Sequence, residues 1–178
     1  MNLNSLKMLM RKMRNWFWPL LLAFSVALFI RGFLITPLEI TGNSMAPTIH
    51  NKDQVLIRHY GTIKRFEIVT FKLPNGKTYI KRVIGLPGDK IEYKNSILYV
   101  NQKKVPESFY KQGYTPDTAD FSLTDFSTLT KVPAKNYFVL GDNRRISEDS
   151  RTLGMIKEEW IQGRALIIYW PLRDFKVL

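Results

Sequence analysis

Hydrophobic positions follow one pattern before Pro37 and another pattern after it. Residues 16–35 are almost entirely apolar, with Arg31 as the single charge. A helix of twenty residues at about 1.5 Å rise spans roughly the 30 Å hydrocarbon layer of a bilayer. Trp16 and Trp18 stand at the start, where interfacial aromatic residues belong. The pattern therefore predicts a transmembrane helix over 16–35, after a basic cytoplasmic segment at 1–15.

Two other interpretations of this apolar segment were weighed. A cleaved secretory leader has a shorter apolar region and a small-x-small site after it, and residues 31–37 offer no such site. A buried helix of a soluble domain needs a polar face for solvent, which this segment lacks. We favour a retained anchor. Four cations precede it, so the positive-inside rule places everything after about residue 36 outside the cytoplasm.

After Pro37, short runs rich in Val, Ile, Tyr and Phe replace the helical pattern, as in β-strands. Turn residues separate the runs. Pro74–Gly76 is the clearest hairpin turn, and Lys94–Ser96 is predicted to form another. The predicted strands are Gln54–Tyr60, Phe66–Leu73, Lys77–Leu86, Ile91–Tyr93, Ile97–Asn101, Tyr137–Leu140 and Arg164–Trp170. The sequence therefore predicts a mainly β, partly closed antiparallel domain over 36–178, with a loop-rich insertion at about 103–135.

Composition narrows the possible functions. The chain has no cysteine, which excludes disulfide scaffolds, thiol nucleophiles and thiolate metal sites. Its net charge of +12 would usually suggest nucleic acid or an anionic membrane as partner. Part of that charge belongs to the predicted anchor, so we predict a lipid bilayer and no nucleic acid. His50 and His59 match no zinc spacing with a third ligand, and no metal or cofactor is predicted.

Ser44 is the first candidate for chemistry. It follows Gly42 and Asn43 and precedes Pro47, so it lies on a constrained loop. A serine hydroxyl becomes a good nucleophile only when a neighbouring base takes its proton. For a single loop serine, capping a turn is the more common role. A triad of Ser44 with His50 or His59 is an alternative, although nothing around either histidine singles it out.

Lys81 is the second candidate. It lies in a predicted strand whose two faces are both largely apolar, so we expect the strand to be buried. Burial disfavours the ammonium form and lowers a lysine pKa by up to several units from about 10.4. Lys81 would then act as a base near neutral pH. The alternative is a lysine whose ammonium reaches solvent at the strand edge.

Residues 141–151 are the third candidate. They hold three arginines and three acidic residues, which predicts a local network of ion pairs. The alternative is a surface turn with solvated charges that contribute little. The acids do not alternate as in a calcium-binding loop.

Taken together, segments 43–48, 79–89 and 141–151 resemble the bacterial type I signal peptidases, in the short form typical of Gram-positive bacteria. The resemblance covers about residues 16–170. It implies a membrane-bound Ser–Lys endopeptidase that needs no cofactor and removes signal peptides from exported preproteins. Cleavage would follow small residues at positions −1 and −3, on the outer side of the cell membrane.

The resemblance also implies roles for individual residues. Ser44 corresponds to the nucleophile and Lys81 to the general base, while Ser147 corresponds to a serine that orients the lysine. The residues expected to shape the site are Asp142, Arg144, Asp149 and Arg151. The residues expected to contact the extended substrate are Leu38, Glu39, Ile40, Met45, Tyr79 and Ile80.

This chain departs from the family pattern at Gly42, where some members carry a serine whose hydroxyl helps to hold the oxyanion. Here the oxyanion would rest on the backbone N–H of Ser44, with the Gly42 amide or a water as the second donor. The stretch between Lys81 and Asp142 is short, so we expect any second β domain to be reduced.

Three other functions were weighed. A silent relative that only binds preproteins would lack the serine or the lysine, and both are present. A DNA-binding Ser–Lys autoprotease would need a soluble chain and a DNA-reading element. A membrane-tethered basic module would make the three segments coincidental.

Overall fold

The computed structural model describes residues 15–26, 35–110 and 114–178. The chain divides into two compact units, Met1–Thr36 and Pro37–Leu178. In the first unit, residues 15–26 are helical. Among the described residues, no helix combines the length and the apolar character that crossing a membrane requires. Residues 27–34 of the predicted anchor, and residues 1–14 of the predicted basic segment, lie outside the described residues.

From Ile35 onward the described chain is built mainly from short strands, as the short apolar and aromatic runs predict. The strands are β1 (Ile35–Glu39), β2 (Gln54–Arg58), β3 (Ile68–Lys72), β4 (Thr78–Gly85), β5 (Ile91–Lys94), β6 (Ile97–Val100), β7 (Lys103–Lys104), β8 (Phe121–Ser122), β9 (Asn136–Leu140), β10 (Ile156–Lys157), β11 (Ile161–Trp170) and β12 (Lys176–Val177). The helical turns of the second unit are the α-helix Ser150–Leu153 and the 3-10 helices Leu123–Asp125, Glu158–Trp160 and Leu172–Asp174.

The strands form two sheets. The larger sheet has the order β1-β2-β11-β3-β4-β9-β10, with β12 paired to β11, and the smaller sheet has the order β7-β6-β5-β8. Every pair with a recorded register is antiparallel. The prediction of a mainly β, antiparallel fold is therefore confirmed. The path of the larger sheet is open, since its two terminal strands, β1 and β10, do not pair with each other among the described residues.

Turn chemistry sets the register of two hairpins. Gly76, with φ +85°, closes the predicted turn between β3 and β4, and Lys72 pairs with Thr78 across it. Asn95 and Ser96 both have positive φ and join β5 to β6. Two consecutive residues with positive φ match the twist of the flanking strands. Both predicted hairpins are thus present.

Residues 103–135 are less irregular than predicted. They contribute β7 and β8, and β8 pairs with β5, so part of this segment completes the smaller sheet. An apolar cluster lies between that sheet and β9, with Tyr93 and Phe138 fully buried. A second cluster packs under the Ser44 loop and contains Ile40, Met45 and Ile80. Both clusters place rigid strands directly beside the candidate site.

Candidate active site

Ser44 lies in a tight turn that follows β1. The amide of Ala46 donates to the carbonyl of Asn43 at 3.2 Å, and the amide of Thr48 donates to the carbonyl of Met45 at 2.9 Å. The Met45 side chain is buried in the apolar cluster beneath the loop. Backbone hydrogen bonds and the buried Met45 side chain therefore hold the loop in place. The loop presents the Ser44 hydroxyl to β4.

Lys81 lies in the middle of β4 and is 2% exposed. Its Nζ donates to Ser44 Oγ at 2.8 Å and to the carbonyl of Ile80 at 2.9 Å. The two residues are 37 positions apart in the sequence, and the packing of the Ser44 loop beside β4 brings them together. A serine and an amine at this distance form the arrangement from which an amine can take the serine proton, provided the amine is neutral.

Burial lowers the pKa of Lys81 to about 8, because the ammonium loses its hydration. The carboxylates of Asp149, Glu148 and Asp142 act in the opposite direction and raise it. The decrease is smaller than desolvation alone would give. About one Lys81 in ten is then neutral at pH 7, compared with about one in two thousand for a free lysine.

Ser147 lies near the Ser44 loop but forms no hydrogen bond with Lys81. Its Oγ is buried and has no hydrogen-bond partner among the described residues. The hydroxyl lies against Gly141: a Cβ built on Gly141 would sit 2.1 Å from Ser147 Oγ and 2.5 Å from the Ser44 carbonyl oxygen. Only glycine fits there. Lys81 donates to Ser44 and Ile80, and Ser147 forms no direct hydrogen bond with it in this conformation, so the orienting role of Ser147 stays a prediction.

Three ion pairs hold the loop 141–151, but only one of them joins two residues of the loop, whereas the sequence predicted a network within it. Arg82 donates to both carboxylate oxygens of the fully buried Asp142, at 2.8 and 2.5 Å. Arg151 donates to both oxygens of the buried Asp149, each at 2.9 Å. Arg144 forms an ion pair with Glu107. These pairs are buried, so the alternative of a solvated surface turn does not describe this loop.

The same loop fixes the nucleophile turn. The amide of Asn143 donates to the Ser44 carbonyl at 3.0 Å, and its side chain donates to the Asn43 carbonyl at 3.3 Å. Asp149 accepts from the Gly141 amide at 3.0 Å. Asp142 and Asp149 thus act on the site through the backbone that carries Gly141 and Asn143.

A groove of about 470 Å³ opens in front of the dyad. Its lining includes both dyad residues and most of the predicted substrate contacts, which are Leu38, Glu39, Ile40, Tyr79 and Ile80. Met45 is not in the lining, because its side chain points into the apolar cluster below. Ile146 and Glu148 complete the wall from the loop 141–151.

The Gly42 amide does not point to an oxyanion position in this structure. It donates to Asn51 Oδ1 at 2.9 Å, with φ at +93°. The expectation that this amide serves as a second donor is therefore wrong for this conformation. No described residue accepts a hydrogen bond from the Ser44 amide, which leaves that N–H as the donor beside the nucleophile.

Neither histidine reaches the site. His50 Nδ1 lies 4.0 Å from Asp53 Oδ2, and His59 Nδ1 lies 2.7 Å from the Gln162 carbonyl. Neither lines the groove that holds Ser44. The geometry does not support a serine–histidine triad. Among the described residues, no group of three or more His, Asp or Glu residues could hold a metal ion.

Sequence reasoning did not single out Arg82, Glu107 or Glu148. Arg82 could have been identified, because an arginine inside a predicted buried strand requires a carboxylate partner. Glu107 lies in a segment predicted as loop, and its pairing with Arg144 depends on the fold. The sequence marks Glu148 only as one of the acids of the 141–151 loop.

Comparison with known proteins adds independent evidence. The family profile described as "Signal peptidase, peptidase S26" matches residues 13–170. "Signal peptidase I" of Bacillus caldolyticus is 41% identical over 167 residues, which cover 89% of this chain and 92% of that protein. "Signal peptidase IB" of Staphylococcus aureus is 36% identical over 181 residues, with 93% and 94% covered.

A solved structure is also similar. The crystal structure of a signal peptidase I from Enterococcus faecalis V583 aligns with a TM-score of 0.51 and 35% sequence identity. The alignment covers 58% of this chain and 97% of that one. The similarity therefore extends from the sequence to the fold.

Proposed function

The chain belongs to the signal peptidase family, peptidase S26, and from that membership we propose that it removes signal peptides from exported preproteins with a Ser44–Lys81 dyad. The observation that carries the proposal is the 2.8 Å contact between Lys81 Nζ and Ser44 Oγ at the base of an open groove. Family membership alone supports signal-peptide removal, and this contact supports Ser44 and Lys81 as the two residues that carry it out.

The reaction begins with neutral Lys81. Its amine takes the proton from Ser44 as the serine oxygen attacks the carbonyl at the end of the signal peptide. The Ser44 N–H holds the developing oxyanion. The Lys81 ammonium then protonates the leaving amine of the mature protein. Neutral again, Lys81 activates a water that releases the acyl group and restores the serine.

Two open strand edges favour an extended substrate. β1 is a terminal strand of the larger sheet. β9 pairs with β4 only from Arg82 onward, so residues 78–81 have no strand partner on that side among the described residues. Both edges border the groove. A peptide lying between them would gain backbone hydrogen bonds, with side chains read in shallow pockets. Small residues at −1 and −3 fit this arrangement.

The apolar segment at 16–35 fits an anchor in the cell membrane, with the N-terminus cytoplasmic and residues 36–178 outside. Preproteins carry their own apolar signal segment into the same bilayer. Confinement of both partners to one plane raises their effective concentration. The bilayer is therefore a second proposed partner besides the preprotein.

The test is cleavage of a preprotein whose signal ends in Ala-x-Ala, by the detergent-solubilised full chain. We expect wild type to cut after the second alanine, and Ser44→Ala and Lys81→Ala each to lose at least about 10³-fold in rate. Lys77→Ala, an exposed lysine just before β4, serves as the matched control and should retain full activity.

Two results would contradict the proposal. Full activity of Lys81→Ala would remove the lysine from the mechanism. An inert wild type on several such preproteins would favour a silent relative that binds preproteins without cleaving them.

A further inference from the structure

Unlike Asp142, Asp149 and Glu107, Glu148 has no cationic partner among the described residues, and the same holds for Glu39 in the groove lining. Asp142, Asp149 and Glu107 are each paired with an arginine and buried. Glu148 is exposed in the wall of the groove. Among the described residues, no lysine or arginine lies within 4.0 Å of its carboxylate.

The Glu148 side chain is nevertheless held in place. Tyr79 donates its hydroxyl to Glu148 Oε2 at 2.9 Å. Tyr79 lies on β4 and Glu148 lies on the loop 141–151, so this bond joins two walls of the groove. One carboxylate oxygen is used, and the other keeps its lone pairs available to a ligand. A carboxylate fixed before binding loses less conformational entropy when a ligand arrives.

The groove as a whole is electrostatically unlike the rest of the protein. The chain has a net charge of +12, yet the charged side chains that line the groove are Glu39, Glu148 and the single cation Lys81. When Lys81 is neutral, as the reaction requires, the groove carries only negative charge. A cationic side chain of the substrate would be attracted, and an acidic one repelled.

We propose that Glu148 is a specificity-determining residue that favours substrates with a lysine or arginine among the residues flanking the cut. The inference rests on the proposed function, because it assumes that the peptide lies in this groove. The carboxylate is exposed, so the preference is modest, about two- to fivefold in kcat/KM for a cationic over a neutral residue. It weakens as ionic strength increases.

The experiment uses the full chain in detergent and a set of peptides ending in Ala-x-Ala. A single Lys, Gln or Glu is placed in turn at each permitted position from −5 to +2. We expect wild type to cleave in the order Lys, then Gln, then Glu at one position at least. Glu148→Gln, which keeps an oxygen for Tyr79, should bring the Lys-to-Gln ratio to about one. The ratio is taken within each variant, so any change in Lys81 basicity cancels.

Two further variants make the result specific. Glu159→Gln, an exposed and paired carboxylate remote from the groove lining, should keep the wild-type ratio. Glu39→Gln tests the other carboxylate of the groove. If this variant lost the preference for Lys over Gln while Glu148→Gln kept it, the assignment to Glu148 would be overturned. Equal cleavage of the Lys, Gln and Glu peptides by wild type would also overturn the assignment. So would a preference for Lys that persists in Glu148→Gln. If wild type cleaves none of the peptides, including the neutral ones, it is the proposed function that fails.

Discussion

At the scale of single residues, two opposing effects set the pKa of Lys81. Burial removes the water that stabilises its ammonium, and three carboxylates restore part of that stabilisation. The resulting pKa of about 8 is close to the pH at which a general base works best. The sequence indicated the burial, because β4 is apolar on both faces. It did not indicate the carboxylates, since their proximity depends on how the 141–151 loop folds back.

The pH dependence of cleavage follows from this balance. We expect kcat/KM to rise about tenfold between pH 6 and pH 7 and to level off above an inflection near pH 8, because only neutral Lys81 accepts the serine proton. Removing one nearby negative charge in Glu148→Gln stabilises the ammonium less, so the inflection moves to lower pH. Initial rates on a neutral peptide across pH 5.5–10 measure both profiles.

The charge-neutral change Glu159→Gln should leave the inflection where it is in wild type. A profile for Glu148→Gln that moved to higher pH would contradict the sign of this electrostatic effect. A flat profile between pH 6 and pH 8 would mean that Lys81 is not the group titrating in the reaction.

At the scale of elements, β4 serves two functions through adjacent residues. Lys81 faces the groove, and Arg82 points to the opposite side and binds Asp142. Arg82 also donates to the Phe66 carbonyl at 2.7 Å. The strand is thereby tied to the loop that carries Gly141 and Asn143. The position of Lys81 relative to Ser44 depends on both faces of one strand.

Removing one partner of the Arg82–Asp142 ion pair should destabilise the folded protein. Arg82→Met leaves the Asp142 carboxylate buried without a partner, and we expect a loss of about 3–5 kcal/mol in the free energy of unfolding. The double variant Arg82→Met with Asp142→Leu removes both charges and should lose less than Arg82→Met alone. Urea denaturation of the two single variants and the double variant gives the coupling energy. Simple additivity of the two losses would contradict a direct pair.

The strands show which parts of the fold the sequence could predict. Turn residues and alternating apolar positions located the hairpins at Pro74–Gly76 and Lys94–Ser96. The two-residue strands β7, β8, β10 and β12 were not predicted, because two residues carry no periodicity. β1 begins at Ile35, which the apolar run had assigned to the anchor. An apolar run does not distinguish a helix end from a strand start when no turn residue separates them.

For the candidate site, too, the sequence predicted some features and not others. Ser44 and Lys81 were predicted, and roles for both stay predictions until the variants are assayed. Two features could not be predicted: Ser147 Oγ has no hydrogen-bond partner among the described residues, and the Gly42 amide donates to Asn51. Each depends on how neighbouring loops pack in the fold. Arg144 was expected to shape the site, but its partner Glu107 lies 37 residues away, and sequence spacing cannot identify such a pair.

At the scale of the whole molecule, charge and hydrophobicity are divided between the two units. Residues 1–35 carry five cations and no acid, and the remainder carries 22 basic and 15 acidic residues. The apolar residues 16–35 would hold the chain in a bilayer, while the basic surface of the remainder would only be attracted to anionic headgroups. These two modes of binding respond differently to salt.

Vesicle flotation separates the two modes. We expect the full chain to float with vesicles containing anionic lipid at both 0.1 M and 1 M salt. A chain that begins at Ile35 keeps β1 and every buried cluster of the second unit, and it should leave the vesicles at 1 M salt. Circular dichroism verifies that the shortened chain is folded. Release of the full chain by salt alone would contradict an anchor at 16–35.

The open edges of β1 and β4 also restrict the conformation of anything that is cut. In the proposed binding mode the strand edges pair with the backbone of an extended chain, and a helix uses its backbone groups within itself and offers no such pairing. A signal segment that is helical in the bilayer would therefore unwind before it reached Ser44 in this binding mode. A mature domain that folded tightly up to its first residue would keep the scissile bond out of the groove. The timing of cleavage would then depend on the folding of the exported protein.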